Sequence, residues 1–142
     1  MNVDFEYFDH TADIGVKAYG DTLPRVFENA AKGLIGIVYE VTGEPEASLS
    51  KEIELTLSED NQEQLLIDWL NEVLFILETE GFIPTNFEVS NLTENTLKAT
   101  LSGSPLDPDM HRYKTEVKST TYHMLEIGSE NDKYFATILF DI

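Results

Sequence analysis

The chain has 142 residues with 27 acidic and 9 basic side chains, a formal net charge of −18, and no cysteine. The missing cysteine excludes disulfides, thiolate metal sites and cysteine nucleophiles, and the charge argues against a large nucleic-acid footprint, because phosphate contact needs clustered Lys and Arg. With 42% hydrophobic residues and no apolar run near the roughly 20 residues that span a bilayer, we expect one globular, cytoplasmic domain over residues 1–142, without membrane association.

The first third of the chain predicts two strands and a helix. Residues 3–8 and 14–19 alternate as strands do. Thr22 can cap the next helix and Pro24 suits its first turn, while apolar residues recur at three- and four-residue steps from 27 to 38. Gly33 and Gly36 are expected to loosen the end of this helix, and residues 42–50 to form a loop.

The middle third predicts a strand, a long helix and two more strands. Residues 53–57 alternate as a half-exposed strand, and capping side chains at residues 58–60 precede a strong helix pattern from about 61 to 80, which Gly81 ends. Its core stripe holds Trp69, whose N–H needs an acceptor. Phe75 and Ile76 widen the apolar surface and suggest cover on more than one side. Residues 82–89 and 96–101 predict antiparallel strands joined by polar residues 90–95.

The last third predicts an ordered loop and a hairpin. Residues 103–109 are too short for a linker, so we expect no domain boundary there. Residues 114–127 and 133–142 predict two strands joined by a turn at 128–132. Asp141 ends a strand face that also carries Phe135 and Leu139, so its carboxylate should have a partner.

Ligand-capable groups concentrate between the first two predicted strands. Residues 9–15 read Asp-His-Thr-Ala-Asp-Ile-Gly, which combines two acids, an imidazole and a hydroxyl. These residue types can bind a metal, but they are also ordinary turn and cap residues, and the stretch alone favours turn chemistry. On the same basis Asp13 is a helix cap and Asp141 a solvated chain end.

Four separated segments together resemble one known family. They are residues 10–15, 66–72, 115–118 with 121–123, and 140–142, which read HTADIG, LIDWLNE, TEVK with TYH, and FDI. In this order they closely resemble the archease family over essentially the whole chain. The resemblance implies an α+β fold of mainly antiparallel sheets with two principal helices, a strand-helix-strand-strand module with an inserted lobe.

The resemblance also implies a function. Archeases are protein cofactors of the RtcB-type tRNA-splicing ligase, which joins RNA ends using GTP and divalent metal; they speed its guanylylation and allow multiple turnover. They have also been described as chaperone-like modulators of tRNA-modifying methyltransferases. The acidic surface fits a basic ligase face or serves only solubility, and little direct RNA binding is expected. The sequence leaves the oligomeric state open.

The metal site of the family corresponds here to Asp13, Asp141 and Ile142, the last acting only through its main-chain oxygens. Two carboxylates crowded at a chain end repel each other unless a cation lies between them. Such oxygen ligands select a hard divalent cation, and of Ca²⁺, Mg²⁺ and Mn²⁺ we expect Ca²⁺. With the resemblance, this interpretation replaces the cap and the solvated end.

Lys118 is the candidate for a further activating residue. A lone lysine in an otherwise uncharged strand could project beside the carboxylates and meet a phosphate or a partner acid. The alternative is a surface lysine on an edge strand. His10 could bind the metal or support a ligand, but a histidine in a turn is more often structural. His111 and His123 are weaker candidates.

The main alternative from another class is a free-standing metal-dependent hydrolase or phosphotransfer enzyme, because a pair of aspartates with a cation also suits such catalysis. The chain lacks a phosphate-binding Gly-rich loop and the HExxH and Ser-His-Asp patterns, and has few bases to hold a polyphosphate. We therefore expect a non-enzymatic activator.

Overall fold

A computed structural model describes residues 3–43 and 51–142, and there the chain forms two helices and three antiparallel sheets. The elements are β1 (Phe5–His10), β2 (Asp13–Gly20), α1 (Leu23–Val38), β3 (Tyr39–Val41), β4 (Lys51–Ser58), α2 (Gln62–Thr79), β5 (Phe82–Leu92), β6 (Thr96–Pro105), β7 (His111–Tyr113), β8 (Ser119–Glu130) and β9 (Lys133–Asp141). The sheets have the strand orders β1-β2-β9-β8, β3-β7 and β4-β6-β5. The predicted α+β class is confirmed.

The two ends of the chain meet in the four-stranded sheet. β1, β2 and α1 come from the first residues, whereas β8 and β9 come from the last. The two smaller sheets and α2 lie between them in sequence, as the inserted lobe that the resemblance implied. Because β2 pairs with β9, residues from opposite ends of the sequence become neighbours.

Helix α1 packs closely on the inner face of the large sheet. Thr22 caps it, with its hydroxyl oxygen accepting a hydrogen bond from the Arg25 N–H, as predicted. Gly33 and Gly36 do not loosen its end, because the helix continues to Val38. A Cβ on Gly33 would lie 2.9 Å from a Val16 methyl group, and the Tyr7 hydroxyl donates to the Gly33 carbonyl at 2.8 Å. The glycines therefore allow helix and strands to approach.

Helix α2 packs the inserted lobe against α1 and β8 through a stripe of buried residues. Its cap is Asn61, whose side chain accepts the Gln64 N–H at 2.8 Å, so the prediction of a cap at residues 58–60 was wrong. Trp69 is fully buried and donates its N–H to the Phe27 carbonyl at 2.8 Å, which confirms the expected acceptor. Phe75 is 57% exposed, so its side of the helix is not covered by the described residues.

Several boundaries differ from the predictions. β5 and β6 extend into residues 90–92 and 103–105, which were expected to be loops. The three-residue strands β3 and β7 were not predicted. The β8–β9 hairpin is confirmed with a shorter turn, in which Asn131 and Asp132 both have positive φ as a two-residue type I′ turn requires. Most of the predicted 42–50 loop lies outside the described residues.

Helices α1 and α2 have 16 and 18 residues. Among the described residues, no helix is long and apolar enough to cross a membrane. Their apolar surfaces instead face the sheets, since both helices contribute buried residues to one continuous core. The core therefore accounts for most apolar residues of both helices, while Phe75 of α2 stays exposed.

Candidate functional site

The turn between β1 and β2 contains the first group of candidate residues. His10 and Asp13 are the last opposed pair of the two strands, and Ala12 takes the positive φ of 63° that closes the tight turn. The His10 Nδ1 lies 3.3 Å from an Asp13 carboxylate oxygen. Asp13 therefore belongs to a strand, and its interpretation as a helix cap was wrong.

The pairing of β2 with β9 brings the two predicted acids together. Asp13 lies directly opposite Asp141, and on the other side Asp141 lies opposite Ser119 of β8. Opposed residues in antiparallel strands project from the same face with Cβ atoms about 5 Å apart. Ile142 follows immediately and is 36% exposed. The structure thus assembles all three predicted metal ligands at one end of the sheet.

No cationic side chain of residues 3–43 or 51–142 forms an ion pair with Asp141, and only an imidazole does so with Asp13. Within the described residues the Asp141 carboxylate accepts no hydrogen bond and forms no ion pair, whereas its main-chain carbonyl accepts the Lys118 N–H at 2.8 Å. Lys17 projects from the same sheet face but donates to Glu130 at 2.9 Å, a hydrogen bond that raises the pKa of Lys17. Among the residues that the structure describes, only His10 approaches the Asp13 carboxylate, so the opposed negative charges remain largely uncompensated there.

An apolar surface continues from the acid pair along the same face of the sheet. Gly15 lies opposite Leu139, which is fully buried, and the Phe8 ring covers Gly15 so closely that an added Cβ would overlap it. The main sequence signal was a glycine within a strand, which often marks a close approach. Gly15 thus allows the Phe8 ring to pack beside the acid pair, a packing role that the sequence analysis did not identify.

A bulge in β8 brings a second imidazole to the site. The register with β9 shifts between Thr121 and Glu126, and Met124 within the shift has a φ of 59°. As a result the His123 ring contacts the His10 ring edge-on, with centroids 5.4 Å apart. His123, a weak candidate from sequence, is therefore close to the acid pair. His111 instead accepts the Asp107 N–H at 2.9 Å and has a structural role.

Lys118 is close to the acid pair, although not in the way that was predicted. β8 begins at Ser119, so Lys118 lies just before the strand. Both predictions for Lys118, a lone lysine within an uncharged strand and a surface lysine on an edge strand, were therefore wrong about its position. Its N–H is bonded to Asp141, while its exposed ammonium forms no ion pair with any described residue. Its ammonium group is thus accessible for contact with another molecule.

The donor set fits a hard cation only when main-chain oxygens take part. Within residues 3–43 and 51–142, no three histidine, aspartate or glutamate side chains converge to hold a metal ion. Two opposed carboxylates and the main-chain oxygens of Ile142 are available, and oxygen ligands of this kind suit Ca²⁺, Mg²⁺ or Mn²⁺. A cation would also relieve the repulsion between like charges placed directly opposite in a sheet.

These features define an acidic α+β domain whose first and last strands share one sheet and present paired carboxylates at its end. The Archease protein family matches residues 5–142. Protein archease of Methanosarcina acetivorans is 37% identical over 97% of this chain and 95% of its own length. Protein archease of Pyrobaculum islandicum is 38% identical over 99% and 96%. The chain belongs to the archease family.

Solved structures agree with this assignment. The solution structure of protein 1598 from Methanobacterium thermoautotrophicum is 38% identical, with a TM-score of 0.76 over 98% of this chain and 99% of that chain. A crystal structure of an archease from Thermotoga maritima, described as a possible chaperone, is 23% identical with a TM-score of 0.63 over 95% and 94%. The second likeness concerns the fold alone.

Proposed function

We propose that this archease is a protein cofactor of an RtcB-type tRNA-splicing ligase, which it helps to undergo GTP-dependent guanylylation and multiple turnover. Membership of a family of protein cofactors supports a role exerted on a partner protein. The observation that carries the proposal is the direct opposition of Asp13 and Asp141 beside Ile142. The same three residues are those that the family resemblance implies as metal ligands.

The proposed cofactor is a divalent cation held by Asp13, Asp141 and the main-chain oxygens of Ile142, with Ca²⁺ preferred over Mg²⁺ and Mn²⁺. Ca²⁺ tolerates irregular sets of oxygen ligands, whereas Mg²⁺ demands near-octahedral geometry. The cation would supply charge neutralisation at this end of the sheet. The chain orients the ligands itself, because the β2–β9 ladder opposes the carboxylates and the Lys118 N–H holds the Asp141 carbonyl.

Lys118 is the proposed contact to the ligase. Its exposed ammonium lies one residue from Ser119, which is opposite Asp141, so it can meet a phosphate or an acidic group of a molecule docked at the acid pair. The net charge of −18 supports association with a basic ligase surface, at a rate that falls with added salt, and little RNA binding by the archease itself. The absence of cysteine is compatible with the proposed cytoplasmic location.

The decisive assay measures self-guanylylation of a purified cognate ligase with GTP, with and without this archease. We expect stimulation by the wild type and a clear loss with Asp13→Asn, Asp141→Asn or Lys118→Ala. Glu52→Gln is a matched control, because it removes one negative charge from an exposed position on β4. Absence of any stimulation by the wild type would contradict the proposal.

The alternatives are tested with the same purified protein. An archease that acts as a chaperone-like modulator of a tRNA methyltransferase would change the activity or site choice of that enzyme without a ligase. A free-standing hydrolase would turn over GTP, phosphate esters or RNA when incubated alone. Turnover that disappears in Asp13→Asn would favour the hydrolase over the activator.

A further inference from the structure

A cavity of about 340 Å³ opens beside the carboxyl-terminal end of α2. Its floor is aliphatic and buried, formed by Val38, Leu74, Leu77 and Val117. Its polar lining comes from Tyr39 of β3, Glu78 of α2, Tyr113 of β7 and Glu116 in the segment between β7 and β8. None of these residues belongs to the acid pair at Asp13 and Asp141, so the cavity is separate from that site.

Two aromatic rings form one wall of the cavity. Tyr39 and Tyr113 are directly opposed in the β3–β7 pair, and their rings meet edge-on with centroids 5.6 Å apart. Tyr113 is 55% exposed, so much of its surface is available to a ligand. An aromatic face attracts a cation, and it attracts a guanidinium or ammonium group most strongly where water is partly excluded.

Two carboxylates, those of Glu78 and Glu116, lie close enough to Tyr113 to affect its ionisation. Partial burial raises the pKa of Tyr113, and the negative charges of Glu116 and Glu78 raise it further. Within the described residues neither carboxylate has an ion-pair partner. Lys114 is near Glu116 in sequence, but its ammonium donates to the Gly36 carbonyl at 2.8 Å. Both charges are therefore available to a ligand.

The position of Glu78 in α2 strengthens this charge imbalance. Glu78 lies in the last turn of the helix, where the backbone carbonyls give partial negative charge and a cation is favoured. The last turn contains no basic residue. An acid at this end is locally unfavourable, and a positive group placed in the cavity would offset both the Glu78 charge and the helix end.

We propose that this cavity receives a basic side chain, arginine or lysine, presented by a partner protein. The aliphatic floor suits the hydrocarbon stem of such a side chain, and the tyrosine rings with Glu78 and Glu116 suit its charged head. A hydrated metal ion would gain nothing from the apolar floor. The volume lies at the small end of the range for ligand pockets, which fits one side chain rather than a whole cofactor.

The test uses NMR titration of the isotope-labelled protein with the peptide acetyl-Gly-Arg-Gly-amide and its lysine counterpart. The uncharged control is the same peptide with citrulline, which keeps the shape of arginine. We expect saturable shifts of the Gly81 and Val117 amides with a basic peptide and none with citrulline. Absence of saturable shifts with both basic peptides, or equal shifts with citrulline, would overturn the proposal.

A double substitution locates the charge requirement. Glu78→Gln with Glu116→Gln should weaken peptide binding by up to about 25-fold, because each exposed ion pair contributes up to about fivefold in affinity. Glu52→Gln with Glu88→Gln removes the same charge from exposed positions on β4 and β5 and should leave the affinity nearly unchanged. Equal weakening by both double variants would show that only net charge matters and would refute the site. No ligase is present, so failure here leaves the proposed function standing.

Discussion

Asp141→Asn should change the stability of the protein in opposite directions with and without a divalent cation. When EDTA has removed divalent cations, Asp141 still lies directly opposite Asp13, and its carboxylate has no partner among the described residues. Like charges opposed in a sheet destabilise it by up to about 1 kcal/mol. For a domain of this length about 1 kcal/mol corresponds to roughly 3 °C in Tm. The asparagine variant should therefore melt about 1–3 °C higher than the wild type in EDTA.

With calcium present the order of the two melting temperatures should reverse. A cation at 100 times its Kd adds about 2.7 kcal/mol to a protein that binds it only when folded, or roughly 8 °C in Tm for this domain. The asparagine variant should gain much less, because it keeps only one carboxylate of the pair. Thermal melts by circular dichroism at pH 8, where an ordinary histidine is neutral, provide the assay.

Removal of any acid from a chain with a net charge of −18 could raise Tm, so the control has to carry the same charge change. Glu52→Gln meets this requirement at an exposed position on β4, which lies in a different sheet from β9. It should gain as much Tm from calcium as the wild type does. A Tm of Asp141→Asn below that of the wild type in EDTA, or an equal rise in Tm of both proteins with calcium, would contradict the proposed repulsion and the proposed cation site.

Three further predictions address single residues. Gly15→Ala should lower the free energy of unfolding by about 1–3 kcal/mol in urea melts, because its methyl group would displace the Phe8 ring. Hydrogen bonds from Arg112 hold the pKa of Glu40 below its usual range. Their stabilising effect is therefore present at neutral pH and is lost as the pH falls through that lowered pKa. In Arg112→Gln, the pKa of Glu40 measured by NMR should return to the ordinary range. A carboxyl-terminal tag should impair ligase activation, whereas Ile142→Val should not, since only the main-chain oxygens are proposed to act.

The helices and the hairpin could be predicted because each leaves a local signature. The Thr22 cap, the apolar period of α2 and the polar turn before β9 all depend on residues close together in sequence. β3 and β7 could not be predicted, since three residues are too few to show an alternation. Gly103 shows a different limit, because the main chain of Ile83 that a Cβ would overlap belongs to a strand about 20 residues away in sequence.

The candidate site could be predicted only in part from the sequence, because its contacts join residues that are far apart in the chain. Alternation placed Asp141 on a face with apolar residues and so demanded a partner for it, but strand order decides which residue lies opposite. The opposition to Asp13 came from the family resemblance, and the fold agrees with it. The contact between His123 and His10 depends on an irregular bulge in β8, which no periodic pattern reports.

The segment of residues 114–118 connects the cavity to the end of the chain. The Lys114 N–H bonds to the Val38 carbonyl and the Lys118 N–H to the Asp141 carbonyl, both at 2.8 Å, while Val117 is buried in the cavity floor. These five residues have no regular structure, so their order depends on contacts at both ends. A basic side chain in the cavity and a cation at Asp141 would restrain the same segment. If both are bound, each lowers the ordering cost of the other, and by linkage the coupling is reciprocal. Through residues 114–118, docking of a partner at the cavity would thus favour cation binding at the proposed site.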